Sequence, residues 1–428
     1  MPRVRVRWWI FGFMCAFAFL AYVQRQVVTV AAERMMPDLS FSQFQVGLLY
    51  WSFVAGYSSF QFLGALYGQR VGGRRAFVVM SLVAFAAFVT TPFAAAILAG
   101  ATLFMVLMVA QFVLGLAQAP VFPVSAGVFQ SWFPVGRWSL VLGLQATFMN
   151  FGSAVTPPLI ANLMHSFGWR AAMLWSSLPA LAIIIGWAWY GRNTPREHAG
   201  VSAAELAELG NAAPAAVSAR LDWHRIGRLV RNRNVLLITL SYLCMNYVFY
   251  LLSGFCFLYL VQERHFTILE SGWLASLPPL GAALGAGVGG QLGTQLYNRF
   301  GPRWGFRLIP LIALPVAGLL LIAAVRASSP YWAVAAMTAA FAAVELIEGP
   351  AWAAMMYVAR SDTMAATGVL NTGGNIGGLI SIPIVAYLSG LGLWSAAFII
   401  GAAFALASGL LWFAIDATRL FDAEAAAP

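Results

Sequence analysis

The sequence is built from one recurring unit, a long apolar run closed by a short turn rich in arginine, glycine or proline. Each run approaches the roughly 20 residues that a helix needs to cross the hydrocarbon layer of a bilayer. That repetition constrains the fold more than any other feature. Inside a bilayer every backbone N–H and C=O must find a partner within the protein, so consecutive apolar runs of this length have to be helices. Hydrophobic residues make up 61% of the 428-residue chain and charged residues 9%, against about 25% charged in soluble domains. No soluble fold of this size could hide so much apolar surface. The expected fold class is an all-α polytopic membrane protein.

Spans are predicted over 8–32, 44–67, 76–96, 101–127, 139–164 and 171–190, and then over 234–261, 271–296, 306–325, 331–358, 365–388 and 394–416. Arg3, Arg5 and Arg7 precede a first run that is too long for a signal peptide, so it reads as a retained transmembrane helix. The polar stretch from Arg192 contains the Ala/Pro-rich segment Asn211 to Ala219 and the basic patch Arg220 to Arg233. The expected organisation is therefore a six-helix half over 1–191, a linker over 192–233, a second six-helix half over 234–417 and a tail over 418–428. The basic patch is expected to form a short surface helix against anionic lipid headgroups.

All 24 basic residues are arginine. With the N-terminus inside, 19 lie on the inner side and four (Arg34, Arg170, Arg264 and Arg326) on the outer side, while Arg25 falls within the first span. Arginine is enriched in cytoplasmic loops. This split places both termini in the cytoplasm of a multi-pass protein of the bacterial inner membrane. Because the arginines sit in short turns between apolar runs, the net charge of +10 does not indicate a nucleic-acid partner.

An internal repeat supports the two halves. Gln69-Arg70-Val71-Gly72-Gly73-Arg74 matches Asn298-Arg299-Phe300-Gly301-Pro302-Arg303, Gln118-Ala119-Pro120 matches Glu348-Gly349-Pro350, and Asn150-Phe151-Gly152 matches Asn375-Ile376-Gly377. The offsets are nearly equal, as in parallel repeats with a central site at their interface.

The turn after the second span resembles the major facilitator motif G-x-x-x-D-R-x-G-R-R, with Arg70, Gly72, Arg74 and Arg75 in place. Gln69 stands where that motif has Asp, Gly73 where it has Arg and Ala65 where it has the leading Gly. Further features resemble the anion:cation symporter branch, which includes sugar-acid and phthalate permeases. They are Tyr22-x-x-Arg25, Tyr57 with Gln61, the run Gly115 to Pro123, Trp132-Phe133-Pro134 with Arg137, Pro157-Pro158, Gly168-Trp169-Arg170, and Pro195-Arg196-Glu197-His198 with Glu205-Leu206. The resemblance implies the major facilitator fold of 12 transmembrane helices and uptake of a small organic anion, a sugar acid or an aromatic carboxylate, with a proton as coupling ion. Gln24 and Gln118 replace carboxylates that the family links to proton coupling.

Polar groups within spans are costly and persist where they face protein or water. Arg25 can hold a carboxylate through two parallel hydrogen bonds, with Tyr22 on the same helix face. Tyr57, Gln61, Gln118, Gln145, Asn371 and Asn375 are expected to line the same cavity, together with Trp352, one turn beyond Glu348. Gln111 shares a face with Gln118, and Tyr247 with Tyr250 is a weaker candidate pair. Glu345 and Glu348 are the acidic residues deep in a predicted span and are expected on one face of the tenth helix. Glu348 is the repeat mate of Gln118, which moves the expected proton-coupling carboxylate to the C-terminal half. Arg70, Gly72 and Arg74 form the expected gating loop.

Cys15, Cys244 and Cys256 fall in apolar runs, and His165, His198, His224 and His265 do not cluster, so no metal site or cofactor is expected. The glycine runs Gly281 to Gly293 and Gly373 to Gly378 lack the ending of a phosphate loop. No nucleophile–base set points to an enzyme. An organophosphate exchanger, which would carry a second arginine near the seventh span, a drug:proton antiporter and a non-transporting receptor are the competing readings.

Overall fold

The computed structural model describes residues 5–209 and 222–421, and these form helices and turns without strands. The first half contains α1 (Val6–Leu39), α2 (Gln43–Val71), α3 (Gly73–Ile97), α4 (Gly100–Gln118), α5 (Val121–Trp132) and α6 (Trp138–Tyr190). Two short helices follow, α7 (Ala203–Leu209) and α8 (Trp223–Arg231). The second half contains α9 (Arg233–Gln262), α10 (Ile268–Leu274), α11 (Leu277–Gly305), α12 (Leu308–Arg326), α13 (Pro330–Glu345), α14 (Glu348–Ala359), α15 (Thr363–Gly390) and α16 (Trp394–Leu411). Arg3, Asn211 to Ala219, Arg220 and the end of the tail lie outside the described residues.

Among the described residues, eight stretches are long and apolar enough to span a membrane, and two of them, 135–190 and 330–390, each hold two crossings. α2 and α11 are not in that group. Each packs along a seam between the halves, α2 against α15 and α11 against α6, so their polar and glycine-rich faces meet protein instead of lipid. With them the bundle has twelve crossings.

The helices are less regular than the sequence pattern predicts. The expected fourth span is two helices, α4 and α5, broken at Ala119 and Pro120, because proline removes an amide donor and clashes with the preceding turn. The expected tenth span is likewise broken, at Leu346 and Ile347 between α13 and α14, just before Gly349 and Pro350. Glu345 and Glu348 therefore end one helix and begin the next, and do not share one continuous face. The fifth and sixth spans form a single run, α6, interrupted at Gly168, whose φ of 77° favours glycine.

The two seams rest on residues too small to hold the backbones apart. A Cβ at Gly143 of α6 would meet the Ala286 carbonyl and the Gly290 Cα of α11, and one at Gly368 of α15 would meet the Ala65 Cβ of α2. Side-chain hydrogen bonds cross between the halves from mid-bundle to the end that carries the chain termini. At mid-bundle, Asn371 Nδ2 donates to Gln61 Oε1 at 2.6 Å and Asn150 Nδ2 to Glu345 Oε2 at 3.2 Å. Nearer the termini, Thr147 Oγ1 donates to the Ala283 carbonyl at 2.8 Å and Gln130 Nε2 to the Arg360 carbonyl at 2.6 Å. At the far end the described polar contacts stay within each half. Arg170 binds Asp38 and the Ala95 carbonyl, while Arg264 caps α12 through the carbonyls of Ala324, Val325 and Ala327. The Trp169 indole and the Arg170 guanidinium hold the Asp38 carboxyl below its ordinary value.

At the termini end, the buried Arg7 pairs with Glu205 and Glu208 of α7 at 3.2 and 2.6 Å, so α7 is tied to the start of α1. Gly143→Val is expected to overpack the seam at this end by about 1–3 kcal/mol. Spin labels on the exposed Arg75 and Arg299 positions should then report a wider separation than in the wild type, and an unchanged distance would show that the seam has room to spare.

Candidate functional site

A cavity lies between the halves, lined by Tyr22, Arg25, Tyr57, Phe122 and Met149 from the first half and by α9, α13, α14 and α15 from the second. Its one arginine is held by rings. The Arg25 Cζ lies 4.3 Å from the ring centres of both Tyr22 and Tyr57 and 5.1 Å from that of Phe53. Desolvated contacts of this kind are worth about 2 kcal/mol, against roughly 2.5–3.5 kcal/mol for placing an arginine at the centre of a span. The rings therefore hold the charge in place without neutralising it. Among the described residues no carboxylate forms an ion pair with Arg25, and its buried Nε has no hydrogen-bond partner.

The opposite wall is rich in acceptors. Tyr242 Oη donates to Glu348 at 2.8 Å and accepts from Trp352 Nε1 at 3.1 Å. Glu345, at the end of α13, accepts from Asn150 of the other half. Tyr250 Oη donates to Asn375 Oδ1 at 3.2 Å, Asn375 Nδ2 to the Asn371 carbonyl at 2.8 Å, and Asn371 Nδ2 to Gln61. The cavity thus sets one uncompensated cation against two carboxyl groups and a hydrogen-bonded row of amides and hydroxyls, with Phe122, Met149, Met245 and Phe249 filling its apolar surface.

The sequence model of the Major Facilitator Superfamily matches residues 14–295 and 257–424. The chain belongs to this superfamily. It is 28% identical over 390 residues to the Cupriavidus necator protein named "Probable sulfoacetate transporter SauU", covering 90% of this chain and 88% of that protein. It is 25% identical over 404 residues to the Bacillus subtilis protein named "Probable galactarate/D-glucarate transporter GudP", covering 90% and 86%. Its fold superimposes on the proton:xylose symporter XylE with a TM-score of 0.77 at 14% identity, covering 98% of each chain. It superimposes on the Escherichia coli fucose:proton symporter FucP with a TM-score of 0.72 at 16% identity, covering 96% of this chain and 100% of that one. The protein is a multi-pass membrane transporter of the major facilitator fold and not an enzyme.

Within this facilitator, Tyr22, Arg25, Tyr57, Glu345, Glu348, Trp352, Asn371 and Asn375 all line the central cavity. Gln61 stands behind it, bonded to Asn371. Gln118 and Gln145 do not reach it. Gln118 Nε2 donates to Gln24 Oε1 at 2.9 Å beside a separate pocket inside the first half. Gln145 Nε2 donates to Ser125 Oγ at 2.7 Å and to the Met14 carbonyl at 3.3 Å. Both amide groups donate to neighbours in their own half, while the buried Gln118 Oε1 has no hydrogen-bond partner. Of the two tyrosines on α9, Tyr250 lines the cavity, while Tyr247 is buried and stacks on Phe404 at 4.1 Å. Tyr242 and Asn246 are missed by the sequence reading, although both lie on the cavity side of α9 at helical spacing from Tyr250.

The superfamily loop sits at the termini end. Gly72 takes φ 83° with the Asn193 side chain where its Cβ would be, and Asn193 Oδ1 accepts from the Arg74 backbone N–H at 2.9 Å. Arg74 also reaches the Ala188 carbonyl, so Gly72 and Arg74 fix the turn onto α6. Arg70 is exposed. The contact to the other half is made by Gln69. Its Nε2 donates to Asp362 Oδ1 at 3.1 Å and its Oε1 accepts from the Ala365 backbone N–H at 3.1 Å. An amide can do both at once, whereas the Asp of the motif would set two carboxylates together. Gln69→Glu should therefore open this end, since losing a buried hydrogen bond and gaining a like charge costs about 1–3 kcal/mol. Adding Asp362→Asn should restore closure. Spin-label distances across the end would show opening in the single variant and recovery in the double, and equal opening in both would refute this account of Gln69.

Proposed function

We propose that this transporter takes up a small organic anion, a sugar acid or an aromatic carboxylate, by alternating access, with the anion seated on Arg25. The observation that carries this reading is the Arg25 guanidinium, caged by rings and lacking a carboxylate partner at the centre of the bundle. A planar guanidinium offers two parallel donors to a carboxylate or sulfonate. Sulfoacetate and galactarate or D-glucarate, for which those relatives are named, are small anions that such an anchor suits. The single arginine in the cavity favours a monoanionic head group over the two-arginine arrangement of an organophosphate exchanger.

An anion entering here brings negative charge close to Glu345 and Glu348. Taking up a proton on that pair cancels the added charge, which is the physical reason for reading them as the coupling site. The amides Gln24 and Gln118 cannot serve that purpose. With the termini end facing the cytoplasm, as the arginine distribution indicates, the closed end described above is the cytoplasmic one and the cavity is reached from outside.

The test is thermal stability of the purified protein against sugar acids, aromatic carboxylates, sulfonates and organophosphates. A ligand at about a hundred times its dissociation constant adds roughly 2.7 kcal/mol. Arg25→Ala should weaken binding of the responding anion at least about a hundred-fold, since each charge-assisted bond contributes roughly 1.5–3 kcal/mol. If no anion raises the midpoint, or the variant responds as the wild type does, the Arg25 reading fails.

In proteoliposomes, an inward proton gradient should accelerate uptake of that anion by the wild type. Glu348→Gln and Glu345→Gln should lose this acceleration while still exchanging labelled for unlabelled substrate. Acceleration that survives in both variants would place the coupling elsewhere.

A further inference from the structure

The helix α8 has two faces. Ile226 and Leu229 are buried against the bundle, while Trp223, His224, Arg228 and Arg231 are exposed, Trp223 to 64%. Among the described residues no carboxylate forms an ion pair with Arg228, Arg231 or the neighbouring Arg233. Only Asn232 separates α8 from α9, and its side chain caps α9 by accepting from the backbone N–H groups of Asn234 and Val235. A membrane crossing thus begins within one residue of the end of α8. That connection keeps α8 close to the membrane surface, with its basic face and exposed tryptophan near the lipid headgroups.

The same helix reaches the closed end of the transporter. Arg225 Nε and Nη2 donate to Asp362 Oδ2 and to Ser361 Oγ, each at 2.8 Å. Asp362 is the residue that receives Gln69 from the other half. Its neighbour Arg360 holds a left-handed φ of 49°, and the Arg360 carbonyl accepts from Gln130 of the first half. A non-glycine residue in such a conformation costs of the order of 1–3 kcal/mol and persists where surrounding contacts enforce it. The segment from Arg360 to Ala365 is therefore gripped by Gln69 and Gln130 from one side and by Arg225 from the other.

We propose that α8 is a docking surface for anionic phospholipid headgroups, and that lipid seated on it steadies Arg225 against Asp362 and so favours closure of the termini end. The partner is a lipid surface because the basic face lies near the headgroup layer and carries an exposed tryptophan, the residue that prefers that layer. Each arginine near an anionic surface contributes roughly a five-fold gain in binding. The effect requires the connection from Arg228 and Arg231 through the helix to Arg225, with Ile226 and Leu229 keeping α8 in register with the bundle.

The test places the full chain in nanodiscs of phosphatidylcholine, with and without phosphatidylglycerol. Hydrogen exchange is followed over 223–231 and 359–365, and the distance between spin labels on the exposed Arg75 and Arg299 positions is measured. In the wild type, phosphatidylglycerol should slow exchange in both segments by at least about five-fold and shorten the mean distance. R228Q/R231Q, on the exposed face, should lose both responses. Arg225→Gln should keep the response over 223–231 and lose it over 359–365 and in the distance.

The proposal is overturned if phosphatidylglycerol changes neither segment in the wild type, or if R228Q/R231Q responds fully. It is also overturned if Arg225→Gln still transmits the effect to the closed end. Glycerol phosphate added to phosphatidylcholine discs should have no effect, and an equal effect would assign the site to a soluble phosphate instead of a membrane.

Discussion

A charge at the middle of a bilayer has to be answered, and in this protein Arg25 is answered by rings and not by a carboxylate. The rest of the cavity is arranged around that choice. Tyr22 and Tyr57 stack on the guanidinium from α1 and α2, which fixes those helices against each other through their side chains. Gly56 and Gly115 then let α2 and α4 approach until a Cβ at either position would strike the other helix's backbone. Had the arginine been paired internally, the site would be electrically complete and an incoming anion would have to displace the partner. Without a carboxylate partner among the described residues, the guanidinium keeps its positive charge in the cavity.

The second half answers the first through a repeat that has diverged in chemistry. Both repeats break near a proline, but on opposite sides of the mated residues: α4 ends at Gln118, with Ala119 and Pro120 in the break, whereas α14 begins at Glu348, after the break at Leu346 and Ile347. The break frees backbone groups and turns the side chain beside it. In the first half that side chain is Gln118, which finds Gln24 and stays inside its own half. In the second half it is Glu348, which meets Tyr242 at the cavity wall. Related repeat positions therefore carry an amide pair inside one half and a carboxyl at the cavity wall of the other.

Much of this was legible in the sequence, for specific reasons. Arg25 and Tyr22 stand three residues apart in an apolar run, and few physical reasons exist for an arginine there. The internal repeat pairs Glu348 with Gln118 in the sequence alone. Gln145 and Gln118 misled because a polar side chain in a span announces only that it has a partner, not on which side that partner lies. Ser125 and Gln24 become neighbours through tertiary packing, which spacing along one helix does not encode. The division of the tenth span was signalled by Gly349 and Pro350, yet the helical spacing of Glu345 and Glu348 favoured one continuous face. The grip on Asp362 was hidden most deeply, since Gln69, Arg225 and Asp362 come from three distant parts of the chain.

The contacts that join the halves share one chemical property. Gln61 with Asn371, Gln130 with the Arg360 carbonyl, Thr147 with the Ala283 carbonyl, Asn150 with Glu345 and Gln69 with Asp362 each use at least one neutral side chain. Among the described residues the ion pairs run within a half, or between a half and the linker, and none crosses the seam. Removing one partner from a buried ion pair costs about 3–5 kcal/mol, whereas a neutral hydrogen bond contributes a net 0.5–1.5 kcal/mol. An alternating-access carrier must break every contact on one side and remake others in each cycle. Amides and hydroxyls allow that exchange with a barrier that thermal motion and substrate binding can meet. On this argument the replacement of the motif's aspartate by Gln69 is no defect, because it keeps the seam neutral at the point where Asp362 already supplies a charge.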